Sequence, residues 1–351
     1  MTKTNTANTL AECQALDQED PLRSLRDLFQ VPESMIYLDG NSLGVLPKAT
    51  PARVAAAVAQ EWGQDLIQSW NAAGWFQMPL QVGNKIARLI GAKDDEVIAA
   101  DSTSINLYKV LSAALSIAQA DHPEKKVILS ERTNFPTDLY IAEALCKERG
   151  FTLKLVEAEE LQTALQQDVA VLMLTHVNYR TGAMLNMKAM TASAHSMGAL
   201  TVWDLAHSAG AVPVDLNSSQ ADFAVGCGYK YLNGGPGAPA FVWVHPKHTD
   251  RFWQPLSGWW GHAAPFEFTP DYKPAAGISR YQCGTQPVLS LTALDTALDV
   301  FLEVEKLGGM QALRKKSLAL TGLFMNLVQA ELVGHGFGIA TPHEENLRGS
   351  Q

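Results

Sequence analysis

Between residues 127 and 244, short and almost unbroken apolar runs alternate with longer segments of helical spacing. Segments 127–130, 153–156, 169–175, 200–204, 221–225 and 240–244 read as strands. Segments 139–148, 159–166 and 187–197 read as helices between them, with Gly198 as a stop for the last. Strands that are apolar on both faces must be covered on both faces, and intervening helices supply the cover. The pattern predicts an α/β protein with a mostly parallel sheet sandwiched by helices. In such sheets ligands collect beyond the carboxyl ends of the strands. The residues that follow each strand are therefore where chemistry is to be sought.

Two of those places stand out. Strand 200–204 ends in Asp204 and runs on into Leu205-Ala206-His207-Ser208-Ala209-Gly210. The last two strands are joined by Gly226-Cys227-Gly228-Tyr229-Lys230-Tyr231-Leu232-Asn233-Gly234-Gly235-Pro236-Gly237. Glycines flanking Lys230 allow the backbone to approach a ligand closely. A lysine there is either a solvated loop residue or an amine that forms a Schiff base with an aldehyde. An aspartate that can face a pyridinium nitrogen, with a lysine to hold the aldehyde, is the signature of a pyridoxal phosphate (PLP) site.

Bulk properties narrow the setting. The chain has 351 residues, 47% hydrophobic and 18% charged, which suits a globular protein with a large core. A net charge of -9 argues against a nucleic-acid surface. No apolar run reaches the roughly 20 residues of a membrane helix, and the polar first residues lack the apolar stretch of a signal peptide. Cys13, Cys146, Cys227 and Cys283 are too dispersed for a metal pair or a disulfide framework. No metal is expected, and the cytoplasm is the expected compartment.

The rest of the chain adds candidates. Residues 1–34 read as a mobile start and a short helix near 22–29. A short strand from Met35 runs into the Gly40-Asn41-Ser42 turn, which is either punctuation or a way of setting Asn41 and Ser42 against a ligand. Segment 52–70 reads as one helix, broken at 71–76. Trp75 there is a core aromatic or a pocket wall, and its sequence favours the core. Segment 79–90 is a helix closed by Gly91. Asp101-Ser102-Thr103-Ser104 precedes a helix over 107–118. Hydroxyls at that place make ordinary caps, and beside a lysine-bound cofactor they make a phosphate seat. A Gly/Trp loop at 257–262, a turn at 281–287 and helices over 289–307 and 310–333 follow. Residues 346–351 read as the start of another strand.

With these residues laid out, the chain resembles the kynureninase family from about residue 22 onward. The motifs that carry the resemblance are Leu38-Asp39-Gly40-Asn41-Ser42-Leu43-Gly44, Ser104-Ile105-Asn106-Leu107, Asn134-Phe135-Pro136-Thr137-Asp138, Asp204-Leu205-Ala206-His207 and Tyr229-Lys230-Tyr231-Leu232-Asn233. The resemblance implies PLP fold type I: a seven-stranded, mostly parallel sheet in a large domain, 49–288, and a smaller α+β domain from 1–48 and 289–351. It implies that Lys230 carries PLP and that Asp204, helped by Asp138, faces the ring nitrogen. His207 would lie beside the cofactor and Phe135 would stack on it, followed by Pro136 and Thr137. Thr103, Ser104, Thr175, Tyr229, Trp259 and Thr285 would surround PLP, while Ser42 and Trp75 would face substrate. Thr285 and Thr175 depart from relatives that can carry Asn and Ser, yet each keeps a donor.

The implied reaction is hydrolysis of L-kynurenine, or its 3-hydroxy form, to an anthranilate and L-alanine, a step of tryptophan catabolism and NAD biosynthesis. Lys230 with Tyr229 would relay protons. A homodimer is implied, with residues lent across it. The family's carboxylate-binding arginine has no match here, so the chain reads as truncated at its C-terminus; Arg280 is a stand-in by chemistry alone. Two other readings stay open. A cysteine desulfurase of the same architecture would need a mobile cysteine, and a chain that keeps only the fold would act as a scaffold.

Overall fold

The structure, a computed structural model, describes residues 9–351. The expected mobile start falls in part on residues 1–8, outside the described residues. From Thr9 the chain is ordered by a capping box: Glu12 N donates to Thr9 Oγ1 at 3.3 Å, and Thr9 N to Glu12 Oε2 at 3.0 Å. That box opens α1, Leu10–Glu19, and a 3₁₀ turn follows at Arg23–Leu28. No strand forms at 35–39. That stretch is extended, and the nearest pairing is a bridge between Phe29 and Pro47.

The single helix expected over 52–70 is broken. It becomes α2, Thr50–Ala56, a π-helical stretch at Ala57–Trp62, a 3₁₀ turn at Leu66–Gln68 and α3, Ser69–Ala72. Leu66 takes a left-handed φ of 51°, which a right-handed helix cannot pass through. Across the break Ser69 Oγ donates back to Glu61 O at 2.6 Å.

Next come α4, Met78–Ile90, stopped by Gly91 at φ 65°, and α5, Thr103–Asp121. Beyond them lie α6, Pro136–Arg149, the single turn α7, Leu161–Ala164, and α8, Met187–Ser196. The short α9, Pro246–Thr249, precedes the two long helices α10, Val288–Lys306, and α11, Gly309–Glu331.

Seven strands form one sheet in the order β1-β7-β6-β5-β4-β2-β3. They are β1 Val97–Ala99, β2 Val127–Glu131, β3 Thr152–Val156, β4 Val169–Thr175, β5 Leu200–Asp204, β6 Phe223–Gly226 and β7 Phe241–Val244. Pairings among β2 to β6 are parallel, and β7 alone runs against its neighbours β6 and β1. The mostly parallel α/β sandwich expected from the sequence is the fold. Sequence reading missed β1, whose three residues are too few to show a period. Residues 346–351 form a 3₁₀ turn, Glu345–Leu347, and a bridge from Arg348 to Ala183 rather than a strand.

Side chains alternate between two cores. Phe223, Val225, Val242 and Val244 face one, with Leu107, Leu111 and Leu115 of α5. Ala224, Phe241, Trp243 and Trp203 face the other, with Val82 and Ile86 of α4 and Leu294 of α10. This is the two-sided burial that near-continuous apolar strands require. Because β7 reverses direction, the β6–β7 connection starts and ends at one edge of the sheet, and it carries Lys230.

At the opposite edge Asp222, fully buried, precedes β6. Its Oδ2 faces His195 Nε2 at 2.7 Å and accepts from Thr201 N at 2.9 Å and Thr201 Oγ1 at 3.1 Å. Its Oδ1 faces His248 Nε2 at 2.9 Å and Lys247 Nζ at 2.8 Å. One carboxylate thereby ties α8, β5 and α9 together.

Candidate active site

Parallel register brings Thr175, Asp204 and Val225 side by side at the carboxyl ends of β4, β5 and β6. Beyond Asp204 the chain turns through residues 205–210, held by Leu205 N donating to Val225 O at 2.8 Å. The turn delivers His207 to Lys230, with Lys230 Nζ 2.7 Å from His207 Nε2. Both side chains are buried. Burial and the Lys230 charge push His207 down to about 4, so the imidazole is neutral at neutral pH. Its Nε2 then accepts from Lys230, and Nδ1–H donates to Gln351 Oε1 at 2.5 Å. Gln351 is itself held by donating to Asn178 O at 3.0 Å and Tyr179 O at 3.1 Å.

Asp138, in the first turn of α6, faces Asp204 across the site. Burial and the neighbouring Asp204 charge push Asp138 well above the usual carboxylate range. Burial also raises Asp204, although Ala206 N donates to its Oδ1 at 2.7 Å and Lys230 lies near. Asp138 Oδ2 is buried with no hydrogen-bond partner. Two desolvated carboxylates with an unmet acceptor call for an N–H donor or a cation between them. A protonated pyridine nitrogen is such a donor, so the residues present fit PLP.

The remaining walls agree with that fit. The exposed Phe135 ring lies 5.8 Å from Lys230 Nζ and the Tyr229 ring 5.7 Å from it. Pro136 and Thr137 open α6 directly after Phe135. Thr175 Oγ1 donates to Asn134 Oδ1, which also accepts from Phe135 N at 2.6 Å. Asn134 thus sets the entry to α6, a role the sequence hinted at only through its place in the Asn-Phe-Pro run. Thr103 and Ser104 begin α5, capped by Ser102, whose Oγ accepts from Ile105 N at 3.4 Å. The Ser42 turn packs on the lysine loop: Gly44 N donates to Tyr229 O at 2.9 Å, and a Cβ on Gly44 would meet Lys230 O at 2.2 Å.

Three expected residues lie elsewhere within this chain. Trp75 is in the core, donating Nε1 to Glu61 Oε2 at 2.8 Å and packing edge-on against Trp70. Trp259 packs on Trp260 and Phe266 and lines a cleft with His262 and Tyr272. Thr285 sits on an exposed turn. Arg280 is no stand-in for a substrate arginine, because its guanidinium pairs with Asp250 and donates to Ala275 O at 2.9 Å. Sequence reading also missed Gln351 and Tyr179, which reach the site only through the fold.

Cys227 and Cys283 are unsuited to carrying sulfur. Cys227 is buried, and burial pushes its thiol up to about 11; burial raises Cys283 as well.

Comparison with known proteins identifies the family. Residues 75–335 match the class-V aminotransferase family. Kynureninase from Pseudomonas fluorescens is 55% identical over 345 residues, covering 97% of this chain and 82% of that protein. Kynureninase from Burkholderia mallei is 52% identical, covering 98% and 82%. Among solved structures, an apo cysteine desulfurase from Thermococcus onnurineus superposes with a TM-score of 0.75 at 19% identity, covering 93% of this chain and 80% of that one. A C-DES mutant with glycine covalently linked to its PLP cofactor gives 0.75 at 17% identity, covering 88% and 80%. At such identities the two structures speak to the fold alone.

Proposed function

This chain belongs to the kynureninase family, and from that premise we propose that Lys230, Asp204, Asp138 and His207 form the PLP site of an enzyme that hydrolyses L-kynurenine. It is a PLP-dependent enzyme of the class-V aminotransferase fold, and its reaction yields anthranilate and L-alanine. The observation that carries the assignment of residues is the buried contact of Lys230 with neutral His207, opposite the paired carboxylates of Asp138 and Asp204.

When bound, PLP supplies an electron sink for charge developed on the substrate. The protein's residues do the rest. Asp204 and Asp138 would hold a proton at the ring nitrogen, and that proton would relieve their own unmet burial. Lys230 Nζ would hold the cofactor aldehyde and, when free, would take the α-proton of the substrate. His207 Nε2 accepts from Lys230 Nζ and keeps the amine aimed. Tyr229, whose hydroxyl burial pushes up, stays protonated at neutral pH and donates a proton toward the leaving group. Phe135 would cover the ring face, and Thr103, Ser104 and Thr175 with Pro136 and Thr137 would line the cofactor, the first two at its phosphate. Ser42, on the turn seated on the lysine loop, faces the substrate.

A substrate panel tests the assignment. Supplied with PLP, the protein is expected to release anthranilate from L-kynurenine, the 3-hydroxy product from 3-hydroxykynurenine, and no sulfide from cysteine. Sulfide without anthranilate would favour the desulfurase reading, and PLP uptake without any product would favour a scaffold.

The protein's placement in the cytoplasm, its division into a 49–288 unit and a smaller unit from 1–48 and 289–351, and its assembly as a homodimer belong to the same proposal. Four free cysteines support the first. All seven strands fall within the larger unit, which supports the second. The dimer is supported by large apolar side chains left open to solvent: Ile36 89%, Leu38 75%, Ile67 76% and Phe268 77% exposed. Trp259 and Thr285, both exposed, are free to face the other subunit's site in such a dimer. Sedimentation is expected to give twice the 38.1 kDa chain mass, and a monomer that still turns over kynurenine would overturn the arrangement.

A further inference from the structure

We propose that Lys109 is a positioning residue for the cofactor's phosphate: a buried ammonium that locks the turn before α5 onto the segment leading to Thr285. The inference rests on the reading above that Thr103 and Ser104 seat that phosphate.

Lys109 is fully buried on α5, an uncommon place for a lysine. Its Nζ makes an ion pair with the Asp101 carboxylate and donates to Tyr281 O at 2.6 Å and Asn106 Oδ1 at 3.4 Å. All three ammonium protons have a partner. A well-packed apolar side chain would fill the same space without desolvating a charge, so the lysine needs a reason to be there.

Geometry supplies one. Asp101 holds a left-handed φ of 48°, a conformation that a non-glycine residue keeps only when its surroundings impose it. Main-chain bonds fix its base: Ala100 N donates to Ala240 O and Ala240 N to Asp101 O, each at 2.9 Å. Asn106 Nδ2 donates to Ala100 O at 2.7 Å. Lys109 clamps the side chain of the same residue. The direction in which Ser102, Thr103 and Ser104 leave the turn, and hence the aim of the free N–H groups of α5, follows from that clamp.

The other end of the clamp is Tyr281, four residues before Thr285. The segment between them carries the Trp259 loop: Trp260 N donates to Cys283 O at 3.1 Å, and a Cβ on Gly258 would meet that same oxygen at 2.2 Å. One ammonium therefore joins the α5 turn, the Trp259 loop and the Thr285 turn. A shift of the α5 turn moves the donors meant for the anion.

The test compares PLP with pyridoxal, which lacks the phosphate, in absorbance titrations. Wild-type protein, Lys109→Met, Asp101→Asn and the Thr103→Ala/Ser104→Ala double variant are measured side by side. Lys109→Met is expected to weaken PLP binding roughly ten- to a hundredfold, the scale on which groups that orient ligand donors act, and to leave pyridoxal binding unchanged. Asp101→Asn, whose side chain reaches the surface, is expected to show the same selective loss and serves where the methionine variant does not fold. Equal losses for both ligands, or no loss in either variant, would overturn the role of Lys109. If the double variant binds PLP normally, the phosphate seat itself is misassigned. If only the double variant loses PLP, the seat stands and Lys109 falls.

Discussion

Lys230→Ala is expected to abolish kynurenine turnover and to remove the visible absorbance of lysine-bound cofactor, with the fold intact. On the proposed assignment the substitution removes both the amine for the aldehyde and the group for the α-proton. Proton transfer by a positioned side chain alone is typically worth about 10²–10⁴-fold, and losing the covalent hold adds to that. The site around it is expected to change in a readable way. His207 Nε2 loses its donor, and Asp204 and Asp138 lose the cation that lowers them. Both carboxylates should then rise further, so any PLP that still binds should be lost at a higher pH on acidification than in the wild type. Absorbance spectra across pH with a single-turnover assay measure all of this. Retention of colour and turnover together would remove Lys230 from the mechanism.

The second large effect is on stability, at the far edge of the sheet. Asp222→Asn keeps the shape of the side chain and presents an amide N–H₂ where the native oxygens accept from Thr201 and face His195, His248 and Lys247. Breaking a buried charge pair by changing one partner costs about 3–5 kcal/mol, a large part of the roughly 5–15 kcal/mol that holds a typical domain together. Burial by itself would raise Asp222, but hydrogen bonds from His195 and His248 and the Lys247 charge hold it far below the usual carboxylate range. A depressed carboxylate stabilises the fold fully above its unfolded value, near pH 4, and loses that contribution as the pH falls toward its folded value. Urea midpoints should therefore differ widely between wild type and Asp222→Asn at pH 7 and converge below about pH 4. A difference that stays constant with acid would show that the carboxylate's charge is not what matters. Cofactor absorbance is expected to survive, since Lys230 lies at the other edge.

How much was legible in the sequence depended on how local each feature is. Strands β4 and β5 were readable to the residue, because their apolar runs end sharply at Thr175 and Asp204. The lysine loop and the carboxylate of Asp138 were legible because glycine and proline mark the turns that hold them. The break at Leu66 was not, since the apolar spacing on either side continues through a residue that happens to be left-handed. Nor were the contacts of His207 with Gln351, or of Lys109 with Tyr281, which join positions 144 and 172 residues apart. Trp75, Trp259 and Thr285 illustrate the opposite case. Resemblance assigns them to the cofactor or substrate, while one chain alone keeps them away from Lys230.

The reversal of β7 has a further consequence. A loop rooted at both ends in adjacent strands has no free end to swing. Lys230 must work as a short tether on a rigid rail, so mobility in a catalytic cycle has to come from what lies across from it. Adaptation to a larger or smaller aromatic substrate is therefore expected to fall to residues outside the lysine loop, and variation in substrate choice among related chains to concentrate there.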